Sequence, residues 1–98
     1  MIFDLYFSDQ AKDQLKNLKA DKGLLKRYKA VTGALKKLQQ NPRYQSLQTH
    51  EFYSLSGPNG KKIFEAYAQQ NTPAAYRIFF YYGPDKGAIS ILSIIPHP

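Results

Sequence analysis

Between residues 9 and 40 the apolar positions recur at intervals of three and four, whereas from residue 61 onward they crowd into short runs separated by turn residues. The first pattern is that of helices with one buried face and the second that of strands. Ser8 is placed to cap a helix that carries Asp9 in its first turn, runs through Ala20 and turns Ala11, Leu15 and Leu18 inward. Asp21 is placed to cap a second helix over 22–40, with Leu24, Tyr28, Val31, Leu35 and Leu38 on its inner face. Lys26, Arg27, Lys29, Lys36 and Lys37 then fall toward solvent. Asn41-Pro42 stops this helix, because proline disfavours helical backbone in the residue before it.

Ahead of the helices, residues 2–7 are dense enough in apolar and aromatic side chains for a strand. Beyond them 43–60 is irregular, with room for a short strand over 51–55 before the turn Ser56-Gly57-Pro58-Asn59-Gly60. Strands are expected over 61–69, 75–82 and 88–95, joined through Asn71-Thr72-Pro73 and Gly83-Pro84-Asp85-Lys86-Gly87. The order is β-α-α-β-β-β: a single α+β domain over 1–98, with two helices packed on one face of an antiparallel sheet.

Composition narrows the chemistry. Hydrophobic residues make up 43% and aromatics 14%, which suits a folded core, and the absence of cysteine removes disulfides and thiol nucleophiles. No apolar run approaches the roughly 20 residues that span a bilayer, and no secretory leader is evident, so a cytoplasmic protein without a membrane partner is expected. Fourteen basic against seven acidic residues give a net charge of +7, concentrated between Lys12 and Arg43. That balance points to a polyanionic or acidic partner, or to helices solvated by lysine. The acidic and histidine residues show no metal-binding spacing, so neither a metal nor another cofactor is expected.

Strand alternation singles out one residue. Arg77 lies in an otherwise apolar and aromatic run, on the face opposite Tyr76, Ile78, Phe80 and Tyr82, and is expected to look into a groove. Tyr67 and Tyr81 share its face and are candidates for stacking on bases. Lys61 and Lys62 follow a glycine turn and are candidates for phosphate contact, or for blunting a strand edge. Arg77 also has a structural reading, a cross-strand ion pair with Glu65 worth about 0.2–1 kcal/mol.

The segments Lys61-Lys62-Ile63-Phe64-Glu65-Ala66-Tyr67, Tyr76-Arg77-Ile78-Phe79-Phe80-Tyr81 and Ile91-Leu92-Ser93-Ile94-Ile95-Pro96-His97, in this order of elements, resemble the RelE/ParE superfamily of bacterial toxins. His97, next to last in the sequence, resembles the YoeB branch. The resemblance implies a toxin–antitoxin system whose toxin is a small basic endoribonuclease. Such an enzyme cuts mRNA on the ribosome without a metal and is silenced by a cognate antitoxin. RNA cleavage of this kind needs a base for the 2′-hydroxyl, a fixed cation for the phosphate and an acid for the leaving 5′-oxygen. By resemblance Arg77 grips the phosphate and His97 is the acid. Where RelE places two lysines this sequence has Glu65 and Tyr67, so Glu65, Glu51 and His50 stand as rival bases. Two other functions share the fold: inhibition of DNA gyrase in the manner of ParE, and non-catalytic binding of RNA or an antitoxin.

Overall fold

Ser8 is where the chain passes from strand to helix, and its side chain serves both. Its hydroxyl oxygen accepts from the Ala11 amide at 3.0 Å, satisfying one of the orphan donors of the first helix turn. The same hydroxyl donates to the Leu92 carbonyl at 2.8 Å. The computed structural model describes residues 2–98 and runs β1 (Asp4–Phe7), α1 (Asp9–Ala20), α2 (Leu25–Gln40), β2 (His50–Ser56), β3 (Lys62–Tyr67), β4 (Tyr76–Tyr82) and β5 (Ala88–Pro96). Asp21 accepts from the Gly23 amide at 2.9 Å, but the turn it caps, Lys22–Leu24, is a 3₁₀ turn, so α2 begins three residues later than the periodicity predicts.

The five strands are ordered β1-β5-β4-β3-β2. β3, β4 and β5 form the expected antiparallel meander, and β2 adds to it antiparallel as a full edge strand. The sheet is nevertheless mixed, because β1 pairs with β5 in parallel, Asp4 opposite Ala88 and Phe7 opposite Ile91. β1 ends there, which leaves the edge of β5 open beyond Ile91. Helix α1 closes it: Ser8 takes the Leu92 carbonyl, and Gln14 Oε1 accepts from the Ile94 amide at 2.7 Å. Open backbone groups at a buried edge need such partners.

Both helices pack on one face. Ala11, Leu18, Val31, Ala34, Leu35 and Leu38 meet Ala66, Ile78, Phe80, Ile89, Ile91 and Ile94 of the sheet in one buried cluster. Each large side chain enclosed there contributes about 1.5–3 kcal/mol. Ile91 and Ile94 both reach the core although they are three apart, because β5 carries one extra residue where Phe79 pairs with Ser93 and Phe80 with Ile91. Arg27, expected in solvent, instead reaches down to the β3–β4 connection. Its guanidinium donates to the carbonyls of Ala74 at 2.7 Å and Pro73 at 3.1 Å and to Gln69 Oε1 at 3.1 Å, and it stacks over the Tyr76 ring. The lysines of α1 and α2 mostly stay exposed, so much of the positive charge coats the helical layer.

Candidate active site

The sheet face turned away from the helices is polar where β3 and β4 cross it. The register sets Tyr67 opposite Arg77 and Glu65 opposite Phe79, so Glu65 and Arg77 are diagonal neighbours on one face. Arg77 Nη1 donates to Glu65 Oε2 at 2.7 Å. On the other side of the carboxylate, His50 Nε2 lies 2.8 Å from Oε1, as its pairing opposite Glu65 dictates. The His50 Nδ1 in turn sits 2.8 Å from the Gln48 carbonyl. Both ring nitrogens therefore face acceptors, and the arrangement is complete when the imidazole carries two protons. The result is a line of polar contacts, His50 to Glu65 to Arg77, crossing three strands.

Arg77 does face away from the helical core, as alternation requires, but it does not stand open in a groove. It is 8% exposed and Glu65 only 3%. The guanidinium lies over the Phe79 ring at 4.9 Å, and Phe79 is itself covered edge-on by Phe52 of β2 at 5.0 Å. A bend in β2 makes this cover: between Glu51 and Ser56 it spends five residues where β3 spends two, from Phe64 to Lys62. Within this burial Arg77 keeps spare capacity. Among the described residues its Nε is the buried side-chain polar atom left without a hydrogen-bond partner, and such orphan donors are costly unless a ligand or water completes them.

Tyr67 borders the same cluster, its ring 5.9 Å from that of His50. Burial first, and then the charge of Glu65 and hydrogen bonding to it, raise its hydroxyl above the usual value of 10.0, while Arg77 pulls the other way. His97 continues the β5 ladder: its amide donates to the Ala75 carbonyl at 2.8 Å, two residues before Arg77. Ile95 pairs with Arg77, so alternation returns His97 to the Arg77 face. Its ring is exposed, with Nδ1 3.0 Å from the Pro98 carbonyl.

The structure thus gathers His50, Glu65, Tyr67 and Arg77, with His97 at the end of the neighbouring strand. It removes Glu51 from the group. Glu51 pairs opposite Phe64, which faces the helical core, and it meets Lys62 at a loose 3.9 Å. Lys61 and Lys62 lie at the opposite end of β3, five or six residues from Tyr67, or about 17–20 Å at roughly 3.3 Å per residue. Lys61 stands instead beside Gly83 and Tyr82. Tyr81 keeps the Arg77 face but pairs with Ser90, farther along β4. Gln48 was not singled out in the sequence; only the left-handed backbone at that position, φ 48°, carries its carbonyl to His50. Among the described residues no three His, Asp or Glu side chains converge as a metal site would require.

No protein-family model matches the sequence, and no curated protein matches it. Solved structures do. The chain aligns with one from the archaeal RelE–RelB complex of Pyrococcus horikoshii OT3 at 16% identity and a TM-score of 0.65, over 98% of this chain and 96% of that one. A YoeB/ParE toxin from Agrobacterium tumefaciens gives 0.69 at 7% identity, over 97% and 99%. The YoeB dimer of Staphylococcus aureus gives 0.65 at 17%, over the full length of both chains. The chain therefore has the RelE-like fold of the RelE, YoeB and ParE toxins.

Proposed function

We propose that this chain is the toxin of a toxin–antitoxin pair and an endoribonuclease that cuts mRNA on the ribosome. The observation that carries the reading is the His50–Glu65–Arg77 line, with an unfilled guanidinium donor at one end and His97 on the adjoining strand. Cleavage by the neighbouring 2′-hydroxyl is an in-line displacement, so base and acid must approach the phosphate from opposite sides. His50 on β2 and His97 after β5 are three strand spacings apart across the sheet, at roughly 4.8 Å each, and four residues apart along it, at the levels of Phe79 and Ala75, so about 20 Å separates them, with Arg77 between. Side chains of that span reach inward from both sides to a phosphate over Arg77.

The roles follow from what each group has left to offer. Arg77 supplies its remaining N–H donors to the phosphate oxygens, and Glu65 holds the guanidinium in place. Glu65 is a poor base, because its two oxygens are already engaged, one by Arg77 Nη1 and the other by His50 Nε2. His50 is the better candidate. A neutral His50 that keeps Nε2–H on Glu65 has Nδ1 as its proton acceptor, which the 2′-hydroxyl reaches by displacing the Gln48 carbonyl that lies 2.8 Å from that nitrogen. His97 protonates the leaving 5′-oxygen.

An acidic antitoxin segment is the expected inhibitor, with charge complementarity acting mainly on the association rate. Neighbours in the RelE–RelB complex and in the RelBE2 toxin–antitoxin complex of Mycobacterium tuberculosis support that partner.

The test is to add the protein to translating ribosomes and map the ends of the transcript. Fragments ending in a 2′,3′-cyclic phosphate and beginning with a 5′-hydroxyl are expected, and they should vanish with His97→Gln. Intact transcripts together with double-strand breaks made by gyrase would overturn the reading in favour of a ParE-like poison.

A further inference from the structure

The connection from β3 to β4, residues 68–75, is held in a conformation that its own sequence does not favour. Ala74 takes left-handed backbone, φ 53°, with no polar side chain to offset the cost, and Asn71 does so at φ 54°. Backbone of this kind persists only where its surroundings fix it. Arg27 of α2 fixes it here. Its guanidinium donates to the carbonyls of Pro73 and Ala74 and to Gln69 Oε1, and lies over the Tyr76 ring. Gln69 Oε1 also accepts from the Tyr76 amide at 3.2 Å, beside the bond from the Ala68 amide to the Tyr76 carbonyl, so a side chain completes the end of the β3–β4 ladder. The next carbonyl after Ala74, that of Ala75, accepts from the His97 amide at 2.8 Å.

We infer that Arg27, in the helical layer and outside the site, is a positioning residue for His97: it holds the Ala75 carbonyl where the last rung of the β4–β5 ladder needs it. The inference rests on the ribonuclease reading above and adds to it a residue that never meets the RNA. Arg77 has no need of this clamp, since it is paired on both sides, with Tyr67 and with Ile95, and is tied to Glu65. His97 stands beyond Pro96, the final residue of β5, and its ring is exposed. Chain ends fray unless something ties them down, and here the tie is the bond from the His97 amide to Ala75. The carbonyls of Ala74 and Ala75 belong to successive peptide groups joined by a single Cα. Release of the first from Arg27 therefore frees the second to turn, and the aim of His97 at a phosphate over Arg77 is lost with it. The planar fork suits this task, because one guanidinium reaches several acceptors at once where an ammonium acts as a point charge. Three hydrogen bonds spent within the protein also set Arg27 apart from the exposed lysines of the same helix, whose charges are open to a partner.

The test compares Arg27→Gln and Arg27→Lys with Lys26→Gln, which removes a neighbouring exposed charge of α2. Amide exchange followed by NMR should show the His97 and Tyr76 amides opening about tenfold more readily in Arg27→Gln, with the Ile78 amide at the centre of the sheet unchanged. In cleavage on translating ribosomes, well below the unfolding temperature, kcat should fall about 10–100-fold while KM stays within about twofold, the mark of lost aim and not of lost binding. Arg27→Lys should keep part of both the protection and kcat, and Lys26→Gln should match the unaltered protein in both. If Arg27→Gln does not fold, Arg27→Lys carries the same comparison with a smaller change. Unchanged protection of His97, or a raised KM at full kcat, overturns the positioning role while the ribonuclease reading stands. An unaltered protein that cuts no transcript overturns the ribonuclease reading, and the role of Arg27 in it as well.

Discussion

The two faces of β3 and β4 are buried to similar depth by opposite means. Toward the helices, Ala66, Ile78 and Phe80 are wholly enclosed among other apolar side chains. Away from them, Glu65, Arg77 and Phe79 are 3%, 8% and 3% exposed, and the two charges are covered by each other, by His50 and by aromatic rings. The apolar face gains from leaving water. The charged face loses hydration and recovers it only through good geometry, so its net contribution to stability is small even though removing either partner is costly. A protein that needed only a second hydrophobic layer has no use for this arrangement. What it supplies is a fixed cation with an unfilled donor, which in the proposed ribonuclease would meet the charge developing on the phosphate.

That contrast breaks first under truncation. Phe80→Ala is expected to cost about 3–5 kcal/mol as a core cavity, and Glu65→Ala about 3–5 kcal/mol because it strands the Arg77 charge. Chemical denaturation would give similar losses for the two, but only the second should be reversible by a further change. Glu65→Leu combined with Arg77→Met should restore most of the stability while abolishing cleavage. If the double variant stays as unstable as the single, the charged face is structural and the division between the faces fails.

The next largest effect falls on activity alone. His97→Gln should slow cleavage by about 10²–10⁴-fold, the usual share of a positioned general acid, without moving the denaturation midpoint, since the ring is exposed. Arg77→Lys sharpens the comparison from the buried side: it retains a charge for Glu65 but loses the planar fork, so cleavage should fall by about 10²–10³-fold. The midpoint should drop less than in Glu65→Ala. Arg77→Ala is the poorer probe, because it leaves Glu65 buried without its guanidinium.

Why one face was legible in the sequence and the other only in part follows from the same residues. The alternation in Tyr76–Tyr82 places Ile78 and Phe80 inward and Arg77 outward with no further information, and the register that sets Tyr67 opposite Arg77 puts Glu65 on the same face as its diagonal neighbour. His50 and Glu51 are adjacent in sequence, and the one-residue choice of register decides which of them faces the site. That register depends on the bend between Glu51 and Ser56, which leaves no periodic signal. The parallel pairing of β1 with β5 and the reach of Arg27 to Pro73 and Ala74 are likewise contacts between distant segments, invisible to a reading of local pattern. The burial of Arg77 came from the same bend.

The smallest effect separates the faces by titration. Tyr67 on the charged face and Tyr82 on the helical side both have hydroxyls raised above 10.0, each mainly by burial. For Tyr67 the charge of Glu65 and hydrogen bonding to it add to the rise, whereas for Tyr82 the other influence is Arg43, which lowers it. A raised folded value means the native state favours the neutral phenol. The stability this contributes is whole below pH 10 and is lost as pH climbs through the folded value. Absorbance titration of the phenolates, with Tyr67→Phe and Tyr82→Phe each removing one late-titrating group, assigns the two steps. Glu65→Gln should then bring the Tyr67 step down toward the ordinary range, because the anion that opposes ionisation is gone while Arg77 remains. The Tyr82 step should not move. A Tyr67 step unaffected by Glu65→Gln would mean that burial alone governs both faces, and that the carboxylate of Glu65 does not reach the phenol it borders.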